Sequence, residues 1–120
     1  MTRIATDILI SGGGVAGLTA AAAFGTAGYS VALVEPNPPV TDNADAGADL
    51  RTTAFLQPSV NVLQSAGLWD RLLPYASALQ IMRIIDAGGM DNTPRLTRDF
   101  DASEISEAPF GWNLPNWRLR

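Results

Sequence analysis

Cysteine and histidine do not occur in this 120-residue chain. Their absence removes disulfides, thiolate nucleophiles, Ser–His pairs and zinc sites built on sulfur or imidazole. Any chemistry must rest on carboxylates, arginines, backbone amides or a bound cofactor. Basic residues are also scarce, eight against twelve acidic ones, and the net charge is −4. The eight are scattered without a run, whereas a general nucleic-acid binder needs a basic stripe to displace counterions. Long apolar runs are missing as well. None reaches the roughly 18 uninterrupted residues of a membrane span. The Ala-rich stretch between Arg3 and Phe24 imitates a signal peptide, but Asp7 and the Gly12–Gly14 triplet interrupt its apolar centre. A soluble, cytoplasmic protein is expected, with no nucleic acid as partner.

What remains is a globular composition, 47% apolar and 17% charged, in a length that suits one domain or part of one. Asp7 to Ser11 is a short apolar run ending at glycine, the pattern of a strand buried on both faces. Val15 to Ala27 has a small-residue helical pattern, with Gly28 at the C′ position. Ser30 to Val34 is a second β-branched strand, closed by Glu35 and Pro36. Two buried strands joined by a helix predict a right-handed parallel βαβ unit.

From Pro36 to Leu50 the composition turns to Pro, Asn, Asp, Ala and Gly, as in an exposed loop. Counting back from Gly47, the ligand positions of a calcium loop fall on Asp42, Ala44 and Ala46, so that pattern fails, and no metal site is expected. Ser59 to Leu73 is amphipathic and should break at Gly67. Leu79 to Asp86, Arg95 to Asp101 and Phe110 to Leu114 are expected strands, with a turn at Gly88–Gly89. Asn116 is a candidate cap for a helix beginning there. The implied fold is α/β: a Rossmann-like βαβ dinucleotide-binding unit with a parallel sheet, followed by the beginning of a mixed β-sheet substrate region. The corresponding division is 1–78, 79–115 and a helix start at 116–120.

The chemistry lies in Gly12-x-Gly14-x-x-Gly17, which follows the first strand and opens the first helix. Gly12 permits the tight turn, Gly14 leaves room for a pyrophosphate against the backbone, and Gly17 lets helix and strand approach. The amides of the first helical turn, including those of Val15 and Ala16, lack internal partners and sit at the positive end of the helix dipole. The second strand then ends in Glu35, near the spacing of about 20 residues expected for the acid that accepts ribose hydroxyls. A carboxylate there also disfavours a 2′-phosphate. The alternative is a glycine turn that binds nothing, with Glu35 merely solvated.

The extended pattern Gly12, Gly14, Gly17, Ala21, Phe24, Gly28, Val31 and Glu35 resembles the fingerprint of FAD-dependent aromatic hydroxylases, the flavoprotein monooxygenases similar to para-hydroxybenzoate hydroxylase. Phe24 stands where leucine is usual. Arg51-Thr52-Thr53-Ala54, then Ala66-Gly67-Leu68-Trp69, resemble the subgroup that hydroxylates ubiquinone precursors, and Phe110 to Leu119 is similar to that family's next landmark. The resemblance implies FAD as cofactor and NAD(P)H as electron donor. It also implies a small, electron-rich aromatic substrate, which a prenyl tail would suit to peripheral association with an inner membrane.

Further, the resemblance implies that Arg51 lies near the flavin diphosphate, where a guanidinium could bind phosphate oxygens bidentately; the alternative is an exposed cation balancing Asp49. Pro36 would flank the adenine. Trp112 and Asn113 border the flavin or substrate on one reading and are packing residues on the other. Family members are several times longer and carry later Asp-Gly and Gly-Asp motifs that this sequence lacks, so an N-terminal segment is expected. No side chain is marked as a catalytic acid or base. Another FAD oxidoreductase, an oxidase or prenyl reductase, and a non-catalytic dinucleotide-binding module are the competing readings.

Overall fold

A computed structural model describes residues 3–90 and 92–120. Strand β1 (Ile8–Ser11) is followed by helix α1 (Val15–Thr26) and strand β2 (Val31–Val34), and β1 pairs with β2 in parallel, Ile8 opposite Val31. The expected βαβ unit is present. Asp7 fastens its open end. The carboxylate accepts from the Ser30 amide at 2.9 Å and from the Ser30 hydroxyl at 2.6 Å, and these bonds hold its pKa below the ordinary range. Side chains alternate along β1. Ile10 faces Gly17 on α1, while Leu9 is 68% exposed. Among the described residues, the cover expected on both faces of this sheet is present on one.

Both longer helices end in the same way. Gly28 (φ 95°) follows α1, with Gly28 N–H donating to Gly25 C=O and Tyr29 N–H to Phe24 C=O. Gly67 (φ 70°) follows α2 (Gln57–Ser65), with Gly67 N–H donating to Gln64 C=O and Leu68 N–H to Leu63 C=O. These are Schellman closures, in which a left-handed glycine lets the chain reverse over the last carbonyls. The Phe24 and Tyr29 rings meet edge to face at 6.2 Å, the apolar contact that accompanies such a closure.

The second layer was only partly anticipated. Strand β3 (Thr52–Leu56) runs through the Arg51 segment, where no strand was expected, and leads directly into α2, which starts two residues before Ser59 with Pro58 in its first turn. Beyond Gly67 come α3 (Trp69–Leu72) and a 3-10 turn over Leu73–Tyr75. The single strand expected over Leu79 to Asp86 is two: β4 (Ser77–Leu79) and β5 (Ile81–Ala87), in different sheets. Gln80 is the switch point. Leu79 C=O accepts from Phe110 N–H, whereas Gln80 C=O accepts from Ala102 N–H. A strand-forming run with no glycine, proline or other turn residue at the switch cannot reveal such a change of partner.

Strand β5 pairs with β6 (Pro94–Asp101) as an antiparallel hairpin, and β7 (Gly111–Pro115) runs between β3 and β4. Arg83 grips Asp99 across the hairpin through two bonds of 2.7 and 2.8 Å, and Arg95 reaches Asp86 at 3.0 Å. All of β5 is solvent-exposed. The core sits instead where α2 and α3 cover the three-stranded sheet: Val60, Leu63, Trp69 and Leu114, flanked by Phe55 and Trp112. Asn116 opens a 3-10 turn (Asn116–Arg118) and does not cap it; Pro115 holds the cap position. The Asn116 side chain is occupied elsewhere, accepting from the Thr53 hydroxyl at 2.6 Å. No described helix is long and apolar enough to cross a membrane.

Candidate dinucleotide site

The glycine loop is built by exclusion. A Cβ on Gly17 would lie 2.0 Å from the Gly12 carbonyl oxygen, so α1 can start only with glycine there. Gly12 itself has φ 109° and donates its N–H to Val34 C=O at 2.8 Å, fixing the turn against the end of β2. At Gly14 the opposite holds: a Cβ would meet nothing within 4 Å. Open space at that point, beside a helix start that has no side-chain cap, is what a diphosphate approaching the backbone requires. Val15 is half-buried and Ala16 exposed, both in the first turn.

Glu35 is bound into this loop. Its Oε2 accepts from Gly13 N–H at 2.7 Å and its Oε1 from Asn37 N–H at 3.1 Å. Those two bonds, Gly13's first, hold the carboxyl pKa below its ordinary value. Gly13 is the buried member of the triplet, and a Cβ there would come within 2.9 Å of Glu35 Cβ and Cγ. Gly13 stands at a position that the Gly12-x-Gly14 spacing leaves unspecified. The signal was the third consecutive glycine, one more than the spacing requires. Each carboxylate oxygen retains a free lone pair, so Glu35 can hold the loop and still accept from a vicinal diol. Pro36 follows it, exposed.

Arg51 stands apart from the glycine loop in its bonding. Its Nε and Nη2 both donate to Asp49, each at 2.8 Å, and its side chain is 83% exposed. Asp49 also accepts from the Asn116 amide at 2.9 Å, and its pKa is pushed far below the carboxylate range, chiefly by Arg51 and then by Asn116. Trp112 meets Trp69 edge to face at 5.8 Å, and Asn113 donates to the Thr52 hydroxyl at 3.0 Å.

Beside the start of α1 opens a cleft of about 470 Å³, lined by Val15, Leu18, Arg71, Tyr75, Arg118 and Arg120 among others. The Arg118 guanidinium stacks between Tyr75 and Trp117, at 4.1 and 4.3 Å from their ring centres. In an acidic chain, three arginines at this cleft make its charge locally positive and suited to an anionic ligand.

The family described as FAD binding domain matches residues 5–112. The chain belongs to that family. It is 30% identical, over 100% of its length, to 3-demethoxyubiquinol 3-hydroxylase of Escherichia coli (strain K12), and covers 29% of that protein. It is 32% identical to ubiquinone hydroxylase UbiL of Rhodospirillum rubrum, over 95% of this chain and 25% of the relative. The crystal structure of p-nitrophenol 4-monooxygenase PnpA from Pseudomonas putida DLL-E4 superposes with a TM-score of 0.66 at 20% identity, over 99% of this chain and 28% of that one. The fold is thus that of a flavin monooxygenase's FAD-binding region, and the chain spans less than a third of the length of these relatives.

Proposed function

We propose that the chain is the FAD-binding N-terminal segment of an NAD(P)H-dependent flavin monooxygenase that hydroxylates an aromatic ring of the ubiquinone-precursor class. The observation that carries the reading is the contrast within the loop: Gly17 closed against Gly12, Gly14 open to a ligand, at an uncapped helix start. A glycine turn serving only the fold would not need that opening. Gly12, Gly14 and the Val15 and Ala16 amides take the diphosphate, Gly17 sets the helix against β1, Glu35 accepts from the adenosine ribose, and Pro36 borders the adenine.

Arg51 supplies a cation to the diphosphate through the guanidinium edge that Asp49 leaves free. When bound, the flavin supplies the redox chemistry that activates oxygen, and the protein binds, orients and shields it. The two ubiquinone hydroxylases among the relatives favour an aromatic, prenylated substrate and a location in the cytoplasm at the inner-membrane surface. Residues 1–78 then serve the cofactor and 79–115 begin the substrate region. The test is Gly14→Val: ADP and FAD binding should be lost while the melting temperature holds, and a variant that purifies flavin-loaded would refute the site.

A further inference from the structure

We infer that Asp49 and Asn116 are positioning residues that hold the Arg51 guanidinium edge-on to an anionic ligand. The inference rests on the cofactor reading above. Arg51 and Asn116 are far apart in sequence, and the register of β3 and β7 brings them together, Thr52 opposite Pro115. Asn116 N–H donates to Arg51 C=O at 2.9 Å, which fixes the main chain at the base of the arginine. The Asn116 side chain is fixed at both ends: Oδ1 accepts from the Thr53 hydroxyl at 2.6 Å and Nδ2 donates to Asp49 Oδ2 at 2.9 Å. Asp49 then accepts from the Arg51 main-chain N–H at 3.2 Å and from Nε and Nη2 at 2.8 Å each.

This network orders an exposed cation at both its main chain and its side chain. An arginine that merely balances a surface charge has no need of a carboxylate whose other side is held by a half-buried asparagine. The geometry of the fork gives the arrangement a purpose. A guanidinium has a side edge, Nε with one Nη, and an end edge, Nη1 with Nη2. Asp49 takes the side edge and leaves the end edge outward, and Nη1 has no hydrogen-bond partner among the described residues. A free, pre-oriented end edge is the surface on which two phosphate oxygens bind in parallel. Holding it in advance spares the entropy of ordering a long side chain when the ligand arrives.

The experiment is a double-mutant cycle read by calorimetry, with ADP as the charged probe and adenosine as the uncharged one. Asn116→Ala keeps the net charge. It should weaken ADP about tenfold, a coupling of ordinary size between residues of one network, and leave adenosine unchanged. In an Arg51→Met background the same substitution should cost nothing further. Equal losses in both backgrounds, or equal losses for the two probes, would overturn the inference. So would tighter ADP binding by Asp49→Asn, which would make the carboxylate a mask over the guanidinium. If Asn116→Ala does not fold, Thr53→Val releases the same asparagine and carries the cycle. An unmutated protein that binds neither ADP nor FAD would reject the cofactor reading itself, a result distinct from a failed cycle.

Discussion

Between Ile8 and Glu35, Gly13 is the one buried residue, and α1 buries no side chain. Between Thr52 and Pro115, by contrast, Val60, Leu63, Ala66, Trp69, Ala102 and Leu114 are all buried. The first region carries the glycine loop, the second the core. The first is shaped by backbone: a carbonyl under Gly17, a carboxylate on the Gly13 amide, a Schellman turn, the Asp7–Ser30 clasp. The second is shaped by side-chain volume. Damage to one should therefore differ in kind from damage to the other.

The largest effect expected is on the core. Leu114 is fully buried, and Leu114→Ala should cost about 2–5 kcal/mol of stability through lost burial and the remaining cavity. Molecules that stay folded should bind ADP as before. A urea melt within about 0.5 kcal/mol of the parent, the range of a surface change, would show that this layer is not where stability resides.

Next comes Gly17→Ala, which should destabilise by about 1–3 kcal/mol, as overpacking does, and abolish ADP binding with it. Gly25 is the control on the same helix. A Cβ there meets nothing within 4 Å, so Gly25→Ala should stabilise by about 0.4–1 kcal/mol through the unfolded chain. Opposite signs at two glycines eight residues apart would establish that close approach, and not helix propensity, fixes the loop. Equal signs would break the comparison.

The smallest loss of binding belongs to Glu35. Gln can offer an oxygen to only one of the two amides that the carboxylate now serves, leaving the Gly13 or the Asn37 N–H facing an NH₂. ADP affinity should fall about tenfold. In the unmutated protein the folded-state pKa is lowered, so the contribution is fully present above the ordinary glutamate value of 4.5 and disappears as pH falls through the lower, folded value. Urea melts of the parent and of Glu35→Gln over that acid range check the sign, the parent losing its advantage only below pH 4.5. An advantage that already declines above pH 4.5 would assign the dependence to another group.

How far these regions could be read from sequence follows the same division. The βαβ unit was legible because glycine and short apolar runs encode backbone directly: Gly28 was expected after the helix and is there, in the left-handed region. The split at Gln80 was not legible, since LQIMRIID holds no turn residue at that point and yet has two sheet partners. Strand β3 was not legible although TTAFL carries β-branched and aromatic residues, because no turn residue separates it from the helix that starts at Gln57. Asp49 and Asn116 were read as a surface charge and a helix cap, and their joining depends on the register of β3 and β7, which no local pattern specifies.

The hairpin that carries β5 and β6 also bears on how the chain folds. Pairing of β3 with β7 brings together residues such as Thr53 and Asn116, 63 positions apart. The hairpin lies inside that interval and joins Ile81 to Asp101 through neighbours close in sequence. Hairpins close in about 1–10 microseconds, so it shortens the remaining loop before the long-range pairing is attempted. The shortening is less than a halving, and loop-closure entropy changes by only about 0.6 kcal/mol per doubling. The gain in stability is thus slight. The order of events expected from this is that β4 and β7 reach β3 already linked by the hairpin arm and the β3–β7 sheet closes last, which pulsed hydrogen exchange on the two sheets would check.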